Sequence, residues 1–262
     1  MYANHVPATI GISQPSVISG SGTILGLDIQ KDAKKIKAKI GYMSQRFSLY
    51  DDLKVRENLS FYAGMYSLTG KDKQNRIKEM LVMAGLTDRE DELTANLSGG
   101  WKQRLALGCS IIHKPSILFL DEPTGGVDPK SRRMFWDIIY DLAMSGTTVM
   151  VTTHFMDEAE HCDRIGFIYE GKLIADDTPA CLKQQLPGIL LEIAAADPIG
   201  YMEEIKQQAS PFLDVYPYGS HVHILVRPEQ VASFSGLNPQ QILPSLEDVF
   251  VYYVKSEREV EL

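Results

Sequence analysis

Two consecutive acids, Asp121 and Glu122, follow the apolar run Ile117-Leu118-Phe119-Leu120. Successive side chains leave a strand toward opposite faces, so these carboxylates do not share one proton as a catalytic dyad would. Their placement suits a division of labour, with Asp121 holding a magnesium ion through its water shell and Glu122 orienting or deprotonating an attacking water. Taken alone, solvated acids at a strand end are common. A second candidate is Leu97-Ser98-Gly99-Gly100, which opens a helical stretch running through Ile112. Free backbone N–H groups at a helix start bind phosphate, although a serine and two glycines by themselves also describe an ordinary capped loop. The third is His154, at the carboxyl end of the strand-like stretch 147–153. Open parallel sheets place their ligands there, so the imidazole can meet a terminal phosphate. A lone histidine in that position is more often a satisfied structural one.

The elements that must hold these residues are legible in outline. Residues 115–120 form a continuous apolar run behind a proline, the pattern of a strand buried on both faces of a parallel sheet. Residues 147–153 repeat it, and the amphipathic stretch 132–144 between them completes a strand, helix, strand unit. That order implies α/β layering with a crossover connection. Upstream, residues 33–114 read mostly as helix, with a basic stretch at 31–39, an amphipathic one at 55–66, and 74–84 carrying Ile77, Leu81 and Ala84 on one side. After Leu186-Pro187-Gly188 the texture changes to a strand at 189–193, a helix at 202–208, an alternating strand at 221–226 and a last helix opened by Pro244-Ser245. Ser245 and Asp248 have capping-box spacing. The expected division is an α/β domain over 1–185 and a small α+β extension over 186–262. His221 and His223 share one strand face and are expected to be exposed. His154, Asp157, Glu158 and His161 fit a helix following His154 better than a zinc site.

Composition bounds the reading. The 262 residues are 44% hydrophobic and 23% charged, which suits one large or two modest globular domains. The net charge of -8 argues against general adhesion to nucleic acid or to an anionic membrane surface, so any anion needs a local site. Cys109, Cys162 and Cys181 have neither CxxC spacing nor an even count, which favours reduced thiols in a cytosolic setting over bridges or zinc. No apolar run approaches the roughly 18 residues of a membrane helix. The opening MYANHVPATIG lacks the basic start and apolar stretch of a signal peptide.

Gln45, the SGG loop, the acidic strand end, Gly125-Gly126-Val127-Asp128 and His154 stand in one order. In that order the chain resembles the ATP-binding subunit of an ABC transporter, nearest to those serving exporters of the type-two drug and polysaccharide class. GYMSQ ending at Gln45 resembles the Q-loop, LSGG the signature loop and ILFLDEP the Walker B strand; GGVD is similar to the D-loop and TTH to the switch histidine. Trp101 stands where the family usually has glutamine, with Gln103 two places on. The resemblance covers residues 19–186 and the closing PSLEDVF at 244–250. It implies a P-loop NTPase-like nucleotide-binding domain with ATP and magnesium as cofactors. It also implies catalytic roles for Glu122, His154 and Gln45, and magnesium at Asp121 and Gln45. Nucleotide contacts fall to Ser98, Gly99, Gly100 and Asp128. The implied partners are a transmembrane permease and a second ATP-binding subunit, with no nucleic acid, at the cytoplasmic inner face of the cell membrane.

The family's phosphate cradle, GxxxxGK[ST], is expected before Ser19 and does not occur there. Gly166 to Lys172 has its spacing, but Leu173 replaces the magnesium-binding hydroxyl and the context reads as a hairpin. A cradle supplies about five charge-assisted hydrogen bonds at roughly 1.5 kcal/mol each, on the order of 7 kcal/mol, or about five decades of affinity. The expectation is a polypeptide shortened at its start that is not a competent ATPase alone. A central strand is then missing as well, which residues 8–13 are too short to replace. The alternative is a non-catalytic or regulatory subunit that lends only its signature loop to an intact ATPase. An ABC protein acting on ribosomes or DNA is disfavoured, because neither paired cassettes nor a long coiled-coil insertion is present.

Overall fold

A computed structural model describes residues 20–46, 48–207 and 212–260. The chain separates into two compact units, the first ending at His154 and the second beginning at Phe155. The change of sequence texture at Leu186 falls inside the second. Residues 8–13 lie outside the described residues.

The first unit opens with a small hairpin, β1 (Thr23–Ile24) and β2 (Leu27–Asp28), turned at Leu25 and Gly26, both with positive φ. Helix α1 (Ala33–Lys37) leads into β3 (Ile40–Met43), and the amphipathic helices α2 (Val55–Met65) and α3 (Gly70–Ala84) follow. Gly85 ends α3 with φ of 67°, the left-handed conformation that glycine adopts without penalty. Next come α4 (Gly99–Ile111), β4 (Ile117–Asp121), α5 (Pro129–Met144) and β5 (Thr148–Thr152). Strands β3, β4 and β5 form a parallel sheet in that order, with Met43 opposite Leu120 and Asp121 opposite Thr152. The α/β layering expected from the sequence is what the unit has.

One detail differs. On β4 only Leu118 and Leu120 are fully buried, while Ile117, Phe119 and Asp121 are half-covered. The strand is dry on one face rather than two, because a run of apolar residues cannot report how completely a second layer covers it. The dry face receives α4, which is buried almost all round from Gln103 to Ile111, as a helix inside a core must be. Burial pushes the Cys109 thiol well above its ordinary range, which keeps it protonated. Gly41 marks the closest approach: a Cβ there would sit 2.5 Å from the Ser110 carbonyl oxygen and 3.0 Å from Leu118 Cδ1. Gly41→Ala is therefore expected to lower stability by about 1–3 kcal/mol, read as a shift of the urea midpoint. An unchanged midpoint would show that this contact relaxes freely.

The second unit contains α6 (Met156–Ala159), the hairpin β6 (Ile165–Tyr169) and β7 (Lys172–Asp177), and α7 (Pro179–Gln184). The GxxxxGK decoy is thus an antiparallel hairpin, turned at Glu170 and Gly171. Then follow β8 (Ile189–Ala194), α8 (Pro198–Gln207), β9 (Asp214–Tyr218), β10 (His221–Val226), β11 (Gln240–Ile242) and α9 (Leu246–Val260). These strands make an antiparallel sheet in the order β11, β8, β10, β9. One apolar cluster joins Leu190, Tyr216 and Leu225 to Phe167, Leu182, Leu246 and Val249; another joins Leu191, Val215, Val222 and Ile224 to Ile205 and Phe234. Both sheet faces are therefore covered.

That double cover overturns the expectation for His223. It is 2% exposed, because β10 is a central strand with packed layers on both sides, whereas alternation along a strand normally signals one wet face. His221, at the strand end, is only partly covered. The His223 ring bonds Asp248 Oδ1 through Nδ1 at 2.8 Å and faces Glu192 Oε1 from Nε2 at 3.3 Å. The Ser245 and Asp248 box closes reciprocally: the Ser245 amide donates to Asp248 Oδ2 at 2.7 Å, and the Asp248 amide donates to Ser245 Oγ at 3.2 Å.

Candidate functional site

Strand β4 ends at Asp121, and the next residue, Glu122, has φ of 42°, a left-handed conformation that a non-glycine residue adopts at a cost of about 1–3 kcal/mol. The turn is held from several sides. The Glu122 amide donates to the Thr152 carbonyl at 3.0 Å, its carbonyl accepts from the Gly125 amide at 3.2 Å, and the Gln103 side-chain amide on α4 donates to the next carbonyl, that of Pro123. The turned backbone presents the Glu122 carboxylate to two other loops. Gln45 Nε2, just beyond β3, donates to Glu122 Oε2 at 2.7 Å. His154 Nδ1, just beyond β5, lies 3.3 Å from the same oxygen. The Glu122 side chain is 33% exposed and that of His154 60%, so the cluster opens to solvent and to any ligand arriving at the carboxyl ends of the strands.

Asp121 is held separately. Thr152 Oγ1 donates to its Oδ1 at 2.6 Å and Tyr42 OH to its Oδ2 at 3.3 Å. Burial, aided by the Asp121 charge, raises the Tyr42 phenol above its ordinary value, so it remains a donor. Each carboxylate oxygen keeps lone pairs beyond one hydrogen bond. Among the described residues no three His, Cys, Asp or Glu side chains converge as a metal cage. The donor set of one fixed carboxylate and one amide fits magnesium, which takes few protein ligands and keeps water and phosphate oxygens for the rest.

The SGG turn opens α4. Ser98 is its N-cap with extended backbone, and Ser98 and Gly99 are exposed. Gly100 is buried: a Cβ there would meet Ser131 Oγ at 2.5 Å, so glycine is what lets α4 lie against the first turn of α5. Behind the turn, the Arg104 guanidinium sits 3.9 Å from the centroid of the Trp101 ring and Arg89 lies 5.2 Å away. Trp101, at the position where glutamine was expected, is thus packed as a cation–π platform. Asp128 caps α5, accepting from the Ser131 amide at 3.0 Å. The Ser131 hydroxyl and amide hold its carboxyl below the usual range.

The structure therefore gathers Gln45, Glu122 and His154 on one carboxylate oxygen, sets Asp121 beside them under its own donors, and makes Asp128 a helix cap. Sequence reasoning missed Tyr42, Thr152 and Gln103. Tyr42 and Thr152 were findable: Tyr42 lies in the GYMSQ string, and a parallel pairing of the two apolar strands sets Thr152 opposite Asp121. Gln103 carried no signal, because only the packing of α4 brings it to Pro123.

A sequence profile described as "ABC transporter" matches residues 8–125. The chain is 52% identical over 167 residues to the probable multidrug ABC transporter ATP-binding protein YbhF of Escherichia coli (strain K12), covering 64% of this chain and 29% of that one. It is 42% identical to the linearmycin resistance ATP-binding protein LnrL of Bacillus subtilis (strain 168), covering 65% and 55%. The chain thus spans only part of these relatives. It is 33% identical over 258 residues to the Nod factor export ATP-binding protein I of Rhizobium leguminosarum bv. viciae, covering 95% of this chain and 81% of that protein. Among solved structures, the ATP-binding cassette MJ0796, a dimer bound to ADP and Pi, superposes with a TM-score of 0.56 at 26% identity over 62% of this chain and 74% of that one. CbiO1 of Clostridium perfringens, part of an ABC transporter complex, gives 0.57 at 26% over 62% and 67%. With the similarity to the Nod factor export protein running over nearly the whole chain and four fifths of that relative, the chain belongs to the ABC transporter family, among its ATP-binding proteins.

Proposed function

We propose that the chain is the ATP-binding motor subunit of an exporter, coupling ATP binding and hydrolysis to transport through a separate transmembrane permease, and acting as a pair with a second ATP-binding subunit. The observation that carries this reading is the meeting of Gln45 and His154 on Glu122 Oε2 at 2.7 and 3.3 Å. Three loops from the carboxyl ends of three parallel strands converge where a terminal phosphate and its attacking water would lie. Glu122 orients or deprotonates that water, His154 contacts the terminal phosphate, and Gln45 holds the carboxylate in register between them. Magnesium, when bound with nucleotide at Asp121 and Gln45, neutralises charge developing on the phosphate oxygens. Ser98, Gly99 and Gly100 serve the partner's nucleotide, offering backbone N–H groups at the start of α4. The site works at the inner face of the membrane; among the described residues no helix is long and apolar enough to cross one.

A narrower proposal concerns the 262-residue polypeptide, whose only GxxxxGK string is the β6–β7 hairpin. Glu122, Gln45 and His154 then surround a nucleotide that nothing in this sequence grips by its phosphates, and the polypeptide does not turn over ATP by itself. Radiolabelled ATP crosslinking and phosphate release on the purified chain are expected at background. Turnover that disappears in Glu122→Gln would overturn the narrower proposal while supporting the motor reading.

A further inference from the structure

Asn58 is a fully buried amide in the second turn of α2, 0% exposed. Asparagine is a poor helix former, and an amide buried without partners costs more than its bonds return. Its partners explain its presence. Oδ1 accepts from the Tyr50 amide at 2.9 Å; Nδ2 donates to the Tyr50 carbonyl at 2.9 Å and to Thr94 Oγ1 at 2.9 Å, with the Lys54 carbonyl 3.4 Å away. Tyr50 lies five residues after Gln45 and Thr94 four before Ser98, so one side chain spans the stretch leaving the carboxylate cluster and the stretch entering the SGG turn.

The backbones of these stretches are already zipped together. The Thr94 amide donates to the Leu53 carbonyl, the Ala95 amide to the Asp51 carbonyl and the Val55 amide to the Glu92 carbonyl, all at 3.0 Å. Beyond the turn, Lys102 Nζ reaches back to Asp51 Oδ1 at 2.8 Å. Thr94 is also fully buried, and its carbonyl accepts the Leu97 amide at 3.1 Å, the last hydrogen bond before Ser98.

We infer that Asn58, through Thr94, is a positioning residue that ties residues 48–55 to the Ser98–Gly100 turn. It touches no nucleotide itself. The inference deepens the proposed function, since it matters only if the turn meets a nucleotide, but the clamp can be read without one. A displacement at residues 48–55 then reaches Ser98 with little slack, because the link is buried and fully bonded at both ends.

The test is amide hydrogen exchange on the full chain. Thr94→Val removes one acceptor at nearly constant volume and is expected to speed exchange at Leu97, Trp101 and Lys102 by about tenfold, the factor set by one buried hydrogen bond. Amides of β4 and α5 should stay within about twofold. Thr94→Ser, which keeps Oγ, should restore slow exchange, and adding Asn58→Asp to Thr94→Val should give less than the product of the two single effects. Unchanged exchange in Thr94→Val, acceleration spread evenly over β4 and α5, or failure of serine to rescue would each overturn the clamp. None of these readouts depends on ATP turnover, so a failed motor reading would leave them unaffected.

Discussion

In a complex with an intact ATP-binding partner, Ser98→Arg in this chain is expected to cut ATP turnover about 100-fold or more, the loss typical when preorganised donors around a reacting phosphate are removed. Ser98 is the exposed N-cap of α4, and the N–H groups of Gly99 and Gly100 behind it are the ones a phosphate would meet. An arginine side chain there fills the space through which the turn approaches its ligand. On the narrower proposal, Glu122→Gln in the same chain is expected to leave turnover within about twofold, because that carboxylate would then stand in a half-site that this sequence supplies with no phosphate cradle. The pair of variants separates the two readings of the site by steady-state phosphate release. If Glu122→Gln also abolished turnover, the carboxylate cluster would be working although this sequence carries no GxxxxGK[ST], which would overturn the narrower proposal and support the motor reading.

Asp248→Ala is expected to destabilise the second unit by about 3–5 kcal/mol, the range for removing one member of a buried ion pair. Asp248 is 1% exposed and its two oxygens serve four donors: Tyr216 OH at 2.8 Å and His223 Nδ1 at 2.8 Å on Oδ1, and the Ser245 amide and hydroxyl at 2.7 Å each on Oδ2. Alanine orphans His223 Nδ1 and the Tyr216 hydroxyl inside the core and uncaps α9 in one step. Urea unfolding followed by far-ultraviolet circular dichroism reads the loss, and a midpoint unchanged from the parent would show that the cluster carries no net stability.

The same cluster sets a pH dependence. Burial pulls His223 down, but its hydrogen bonds to Asp248 and Glu192 and their charges outweigh it, so its pKa rises above the ordinary 6.5. Burial pushes Asp248 up, yet His223, the two Ser245 donors and Tyr216 together hold it below 3.8. A raised folded pKa contributes stability that is complete below about pH 6.5 and is lost as pH rises through the folded value. A depressed one contributes stability that is complete above about pH 3.8 and is lost as pH falls through the folded value. The pair's contribution is therefore greatest between about pH 4 and 6.5. His223→Gln, which keeps an amide donor toward Asp248, should flatten the alkaline side of the profile, and persistence of the alkaline decline in that variant would assign it to other groups.

Much of the first unit was legible because its signals are local. The run before Asp121, the SGG helix start and the amphipathic period of residues 55–66 each report a backbone state from neighbours in the chain. The Ser245 and Asp248 box was legible for the same reason: its spacing alone puts each side chain on the other's amide. His223 was misread because alternation along a strand reports periodicity but not how many layers the sheet carries. Gly41 gave no warning either, since the Ser110 carbonyl that forbids a side chain there lies on another element.

The amino-acid sequence by itself determined which chemical groups exist, their order, and the turns and helix starts that aim them, because those depend on residues a few positions apart. Only the tertiary structure decided that Gln45 and His154 meet on the same oxygen of Glu122, that Tyr42 and Thr152 hold Asp121, and that Asn58 bonds Tyr50 and Thr94. Those contacts join residues 31 to 79 positions apart in the case of Asp121, and such pairings are set by strand register and by the packing of α4, which no local period encodes.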